Sequence, residues 1–240
     1  MTMSKIAVVT GGTKGIGQGV VRMLAKRGYT IFVSYAHDED AANRLKNDLG
    51  DAVQLFKADH SCRPDTYSFI DFIKASVSEV HCIVCNAGIT IRKSFADTQD
   101  ADWDMMMEVC INAHVILLRE LFPMIQRNSR VLFTGSAMGV YPHAMVLGYG
   151  VTKSAVHGLV KNLMKTFEPI ETTVNAIAPG FVDTEWQKEK PEQIRQNICN
   201  KPAIHRFASV EEIVQAYAFC LDNAFVNGSI IEVNGGYSYK

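Results

Sequence analysis

The 240-residue chain has almost no net charge, with 24 lysines and arginines against 25 aspartates and glutamates. No basic run breaks that balance, so nothing in it suits a polyanion such as nucleic acid. It also lacks any apolar run approaching the ~20 residues of a membrane span, and no membrane partner is expected. The N-terminus MTMSKIAVVTGG has one lysine and a short apolar run that enters a glycine turn. That reads as a first strand, not a signal peptide. Without a secretory signal, the six cysteines are expected to be reduced thiols of a cytoplasmic protein. The seven histidines lack ligand spacing such as H-E-x-x-H, and no metal site is expected. Asp97, Asp100, Asp102 and Asp104 lack the spacing of a calcium loop but suit the start of a helix, where the dipole favours negative charge. No linker, repeat or low-complexity tract divides the chain, so residues 1–240 are expected to form a single domain.

What is present is a 48% hydrophobic composition and an alternation of strand-like and helix-like segments from end to end. Strands are expected at 6–9, 30–34, 53–56, 81–84, 130–134, 173–177 and 229–233. Helices are expected at 16–27, 40–49, 66–77, 103–126, 150–167 and 210–221. Several strands are apolar on successive residues, as strands covered on both faces must be. The expected fold is therefore α/β, a doubly wound, Rossmann-type parallel sheet of seven strands with helices on both faces. Residues 183–206 fall outside the rhythm. They are charged, contain Pro191 and Pro202, and read as a flap over the site.

Strand one ends in Thr10-Gly-Gly-Thr-Lys-Gly-Ile-Gly17. Glycines at 11, 15 and 17 permit a tight turn and let a pyrophosphate approach the N–H groups of a helix N-terminus. The same glycines also fit a purely conformational turn. Farther along, Tyr149 and Lys153 are four residues apart, on one face if the segment is helical. A phenol titrates near pH ~10, and a neighbouring cation favours its ionised form, which suits a proton donor or acceptor. A surface helix pair has the same spacing. Ser136 follows the apolar run 131–133, at the strand end where open parallel sheets bind ligands. Cys82 and Cys85 form C-x-x-C, but residues three apart on a strand face opposite sides, so they read as packed core thiols. Met105–Met107 read as core and interface packing on a long helix.

Taken in order, TGGTKGIG (10–17), Asp59, Asn86-Ala-Gly88, Ser136, Tyr149-x-x-x-Lys153, Pro179-Gly180, Thr184 and Asn234-Gly-Gly236 resemble the short-chain dehydrogenase/reductase family over essentially the whole length. The resemblance implies a nicotinamide dinucleotide whose pyrophosphate lies on Gly11, Gly15 and Gly17. It implies adenine at Asp59, the adenine ribose by Asn86 and Gly88, the nicotinamide ribose on Lys153 and the carboxamide on Thr184. Thr13, Ile16, Tyr149, Pro179, Gly180 and Val182 complete the implied cofactor contacts. Ser136 would polarise a substrate carbonyl and Tyr149 would protonate it as hydride arrives. Two hydroxyls aimed at a developing oxyanion stabilise it. Family members usually assemble as homotetramers through the helices after strands four and five, and the Met-rich helix fits that.

Two expected features are missing. An acidic residue usually ends strand two and binds the ribose 2′-hydroxyl of NAD. Here the segment reads Ile31-Phe-Val-Ser-Tyr-Ala-His37, with no acid before Asp38. Lys14 and His37 suit a 2′-phosphate, so NADP(H) is favoured over NAD(H). The family's fourth catalytic residue is an asparagine seven positions after a tryptophan, and counting from Trp103 gives Cys110. Asn112 lies about 200° farther around a regular helix. Met138, Tyr141, Met145, Val146, Phe181 and Trp186 are expected to line an apolar substrate pocket. AGIT (87–90) and the 202–211 stretch with Arg206 resemble the 3-oxoacyl-[acyl carrier protein] reductase type, which implies a role in fatty acid biosynthesis on a carbonyl or acyl thioester substrate, with acyl carrier protein as a possible partner. Against a negative carrier stand Glu168 and Glu171, leaving Arg127 and Arg130 as contacts. The alternatives are another small ketone, sugar or alcohol, or a dinucleotide-binding sensor without turnover.

Overall fold

The computed structural model describes residues 4–143, 146–188 and 190–237. Its strands are β1 (Ile6–Val9), β2 (Thr30–Tyr35), β3 (Val53–Lys57), β4 (Val80–Cys85), β5 (Ile125–Thr134), β6 (Thr173–Pro179) and β7 (Ile230–Val233). They form one sheet in the order β3-β2-β1-β4-β5-β6-β7, with every pair parallel. The order reverses between β1 and β4, which is where open α/β sheets bind ligands.

The main helices are α1 (Gly15–Lys26), α2 (Glu39–Leu49), α3 (Arg63–Ser76), α4 (Asp100–Met107), α5 (Ala113–Leu121), α6 (Leu147–Phe167), α7 (Glu185–Lys188), α8 (Glu192–Cys199) and α9 (Val210–Asp222). Alternating strand residues feed two cores. Val8, Ile83, Cys85, Val131 and Phe133 face one side, against Phe69, Leu117, Leu121, Val156 and Val160. Ala7, Val9, Cys82, Val84 and Leu132 face the other, against Val20, Val21, Leu24, Ile213 and Tyr217. Helix α1 buries Val20, Val21 and Leu24, a stripe at helical spacing. Each such side chain contributes on the order of 1.5–3 kcal/mol on burial.

Several boundaries differ from expectation: α3 and α6 each start three residues early, at Arg63 and Leu147. The helix expected at 103–126 begins at Asp100, because Gln99 and Asp102 form a capping box there. It passes through a π turn at Glu108–Asn112 and ends in a short 3₁₀ turn at Phe122–Met124 containing Pro123. The fifth strand starts at Ile125 rather than 130, with a register shift between Val80 and Cys82 on its partner. The 183–206 segment is not bare loop but carries α7 and α8.

Candidate active site

The glycine turn is built by its neighbours as much as by its glycines. Gly11 and Gly15 have φ of +62° and +52°, the left-handed region that costs glycine nothing. A Cβ on Gly17 would lie 2.3 Å from the Gly11 carbonyl and 2.5 Å from Asn86 Nδ2. Ser34 Oγ accepts from the Gly11 N–H (3.2 Å). Asn86 donates from Nδ2 to the carbonyls of Thr10 (3.1 Å) and Gly11 (2.9 Å) and accepts from Thr134 Oγ1 (2.9 Å). Helix α1 starts without a side-chain cap, so its first N–H groups remain for a ligand.

Thr10 is the hub that sequence reasoning missed. Its hydroxyl accepts from the backbone N–H of Asn86 (2.9 Å) and Ala87 (3.0 Å) and stands 3.3 Å from His114 Nε2. His114 Nδ1 lies 3.1 Å from the Cys110 carbonyl. A carbonyl only accepts, so Nδ1 carries the proton and Thr10 donates to Nε2. Burial, with His60 and Lys153 nearby, pushes His114 down to about 3. Buried His60 behaves similarly. It sits between Ser34 (2.8 Å) and Thr66 (3.0 Å), and burial lowers it to about 4. A single histidine in a helix or loop pattern gives no signal for either role.

These elements border a cleft of about 680 Å³. Gly11, Lys14, Gly15, Ile16, Gly17, His37, Asp59, Asn86, Gly88, Tyr149, Lys153 and Thr184 all line it. So do Met105, expected as packing, and Trp186, whereas Met106 is the buried member of the methionine run. Thr184 reaches over the turn, its Cγ2 3.3 Å from where a Cβ on Gly15 would stand. Thr13 and Val182 are buried outside the cleft lining. Ser136, Pro179 and Gly180 border a small adjoining pocket with Met138 and Phe181. Ser136 Oγ there accepts from the Met138 N–H (3.1 Å). Val146 is buried, and Tyr141 and Phe181 both lie against the Tyr237 ring. Met145 lies outside the described residues.

Tyr149 and Lys153 do share a face of α6. Lys153 Nζ lies 5.5 Å from the Tyr149 ring centroid, is 2% exposed as a residue, and donates to the Thr134 carbonyl (2.7 Å). Cys110 is fully buried in the π turn and directs Sγ toward the Ile89 carbonyl (3.6 Å). A Cβ on Gly88 would lie 3.4 Å from Lys153 Nζ and 3.8 Å from Cys110 Sγ, so thiol and ammonium flank the same glycine. Asn112 is turned to Glu108 (2.8 Å), which also holds Arg63, and so stays out of the site.

At the outer end, Lys14 is not free but ion-paired with Asp38, whose carboxylate also caps α2 at the Ala41 N–H (2.8 Å). His37 Nε2 lies 3.5 Å from Asp59. Partial burial raises the Asp59 carboxyl, but hydrogen bonds from Ser61 outweigh it and hold the group below its ordinary value. Cys82 and Cys85 are buried in different cores, and burial raises both thiols, Cys82 to about 12. Among the described residues no His, Cys, Asp and Glu cluster is arranged to hold a metal ion, and no helix is long and apolar enough to cross a membrane.

The family described as short chain dehydrogenase matches residues 5–195. The chain belongs to that family. This short-chain dehydrogenase is 30% identical over 241 residues to the 3-oxoacyl-[acyl-carrier-protein] reductase of Aquifex aeolicus, covering 97% of this chain and 96% of that one. It is 32% identical over 243 residues to the 2-dehydro-3-deoxy-D-gluconate 5-dehydrogenase of Pseudoalteromonas atlantica, covering 97% and 95%. Among solved structures it superimposes on a short-chain dehydrogenase/reductase from Serratia marcescens with a TM-score of 0.92, at 26% identity over 98% of each chain. The dehydrogenase is thus an oxidoreductase of a family that uses a nicotinamide dinucleotide, and relatives with different substrates match it equally well.

Proposed function

We propose that this enzyme reduces a carbonyl to an alcohol using NADPH, with a 3-oxoacyl thioester as substrate. The observation that carries the reading is the Tyr149–Lys153 pair, with Nζ 5.5 Å from the phenol ring, in the same cleft as the glycine turn. The bound nicotinamide supplies the hydride. Gly11, Gly15 and Gly17 leave room for its pyrophosphate, and Thr184 closes over them. Tyr149 gives its proton to the developing alkoxide, while the Lys153 ammonium lies beside the phenol ring. Ser136, whose Oγ accepts from the Met138 N–H and so keeps its own O–H to donate, orients the carbonyl from the adjoining pocket.

The preference for NADPH is supported by the cleft edge. Tyr35, the last residue of β2, and Ala36 and His37 after it bring no carboxylate there, whereas Lys14 and His37 bring nitrogen donors. A 2′-phosphate would compete with Asp38 for Lys14 and win on charge. The expected result is a kcat/KM for NADPH above that for NADH, with Lys14→Ala lowering the ratio about tenfold, as loss of one charge-assisted hydrogen bond does. A preference for NADH would overturn the assignment.

The substrate reading draws on the resemblance to the reductase type. An acidic carrier protein gains little from Arg127, which pairs with Glu171 at 2.5 Å, or from Arg130, which turns onto backbone carbonyls. A second reading, a sugar-acid or other small ketone substrate, is favoured by the 32% identity to the gluconate dehydrogenase. NADPH oxidation at 340 nm with a 3-oxoacyl thioester and a panel of sugar ketones separates the two. We further propose a cytoplasmic homotetramer, supported by an apolar groove between α5 and α6 lined by Val115, Leu118, Phe122, Leu159 and Leu163.

A further inference from the structure

The parallel sheet has two ends. Cofactor chemistry is assigned to the carboxyl ends of the strands, but the amino ends also enclose a cavity, of about 180 Å³. Lys5 precedes β1, Tyr29 precedes β2, His81 is near the start of β4, and Arg130 lies in β5. Parallel register brings them together, since Ile6 pairs with Thr30 and Cys82 with both Ala7 and Arg130. The four side chains line this one cavity.

What they leave available is uniform. Tyr29 is nine-tenths buried, and its hydroxyl has no hydrogen-bond partner among the described residues. The Ile6 N–H donates to His81 Nδ1 (3.1 Å), so the ring proton sits on Nε2 and is a donor. Arg130 spends Nε on the Leu221 carbonyl (3.2 Å) and Nη1 on those of Asn128 (2.7 Å) and Ser129 (3.0 Å), leaving Nη2 uncommitted. Lys5 makes no ion pair among the described residues and stands exposed at the mouth. Of the nearby acids, Glu171 pairs with Arg127 (2.5 Å) and Asp222 with Arg27 (2.5 Å), while the Glu79 carboxylate stands 3.8 Å from His81 Nε2, where an entering anion must displace it. Burial holds the Tyr29 phenol above its ordinary value, where it stays a donor. Lys5 and Arg130 thus bring two positive charges, against the one Glu79 carboxylate beside His81, and four donors face a cavity smaller than the ~300 Å³ at which drug-sized pockets begin.

We infer that this end of the sheet is a second binding site, for a small tetrahedral oxyanion: a phosphate group held by Lys5, Tyr29, His81 Nε2 and Arg130 Nη2. The ion is free phosphate or the phosphate of a small monoester. The site is separate from the glycine turn and independent of the substrate reading.

The test titrates the full chain, saturated with NADPH so that its phosphate turn is filled, with inorganic phosphate, with phosphoethanolamine, and with sodium chloride at matched ionic strength. The thermal midpoint is followed. A saturable rise with either phosphate compound, absent with chloride, is expected. Tyr29→Phe, which keeps the ring packing, weakens the apparent Kd about tenfold for loss of a hydrogen bond to a charged group, and Lys5→Glu abolishes the rise. The compound that saturates at lower concentration identifies the source, and either result supports the site. A midpoint curve unchanged in both variants, or reproduced by chloride, would overturn it.

Discussion

Tyr149 is only half-buried, yet the lysine beside it is 2% exposed and tied to the Thr134 carbonyl. The ammonium is therefore fixed by the end of β5 while the phenol faces the cleft. Tyr149→Phe removes the proton and nothing else, so kcat should fall by about 10²–10⁴-fold, the usual worth of general acid catalysis. Dinucleotide Kd should change little. Persistent turnover in this variant would remove Tyr149 from the mechanism. The pair and its helical face are legible in the sequence because four-residue spacing is a local property of a helix. The surroundings of Cys110 are not, because a π turn shifts the register that a count of residues assumes. Cys110 is the expected position, but its packing against Ile89 and Gly88 depends on chain segments twenty residues away.

At the level of elements, the glycine turn, the end of β4 and helix α5 are one assembly joined through Thr10. Gly17→Ala sets a methyl against the Gly11 carbonyl and the Asn86 amide, both of them already committed. Overpacking of this kind costs about 1–3 kcal/mol, and the displaced turn should also weaken dinucleotide binding at least tenfold. Chemical denaturation and a fluorescence titration with NADPH read the two effects separately. Alternating β and α segments were readable from periodicity, and so were six of the seven strands to within two residues at each end. The early start of β5 was not, because the polar residues 126–129 separate Ile125, which pairs with Val80, from the apolar run that begins at Val131.

For the molecule as a whole, three buried histidines set the acid limit of stability. His114 is lowered to about 3, and His60 and His157 to about 4, burial being the first cause in each. All three are neutral in the fold, whereas in the unfolded chain they take up protons below about pH 6.5. Their contribution is complete above pH 6.5 and is lost as pH falls toward 4. Each such proton tilts stability by about 1.4 kcal/mol per pH unit. Urea midpoints should hold steady from pH 7 to 8 and drop steeply between 6.5 and 4; a flat profile there would contradict the burial. The proposed assembly is tested at the same scale. Native mass should be four times 26.6 kDa, and Val115→Lys, which charges the apolar groove, should lower it.

The opposite orientation of Cys82 and Cys85 gives the sheet a reporter on each side. Cys82 is 0% and Cys85 1% exposed, and they belong to separate cores. In a chain that keeps one of the two and replaces the other cysteines by alanine or serine, alkylation by a thiol reagent is gated by the peeling away of one helical layer alone. The Cys82 variant clocks α1 and α9, and the Cys85 variant clocks α3, α5 and α6. Dinucleotide binding should slow both. If only one clock slows, the two layers breathe independently, and the sheet is the partition between them.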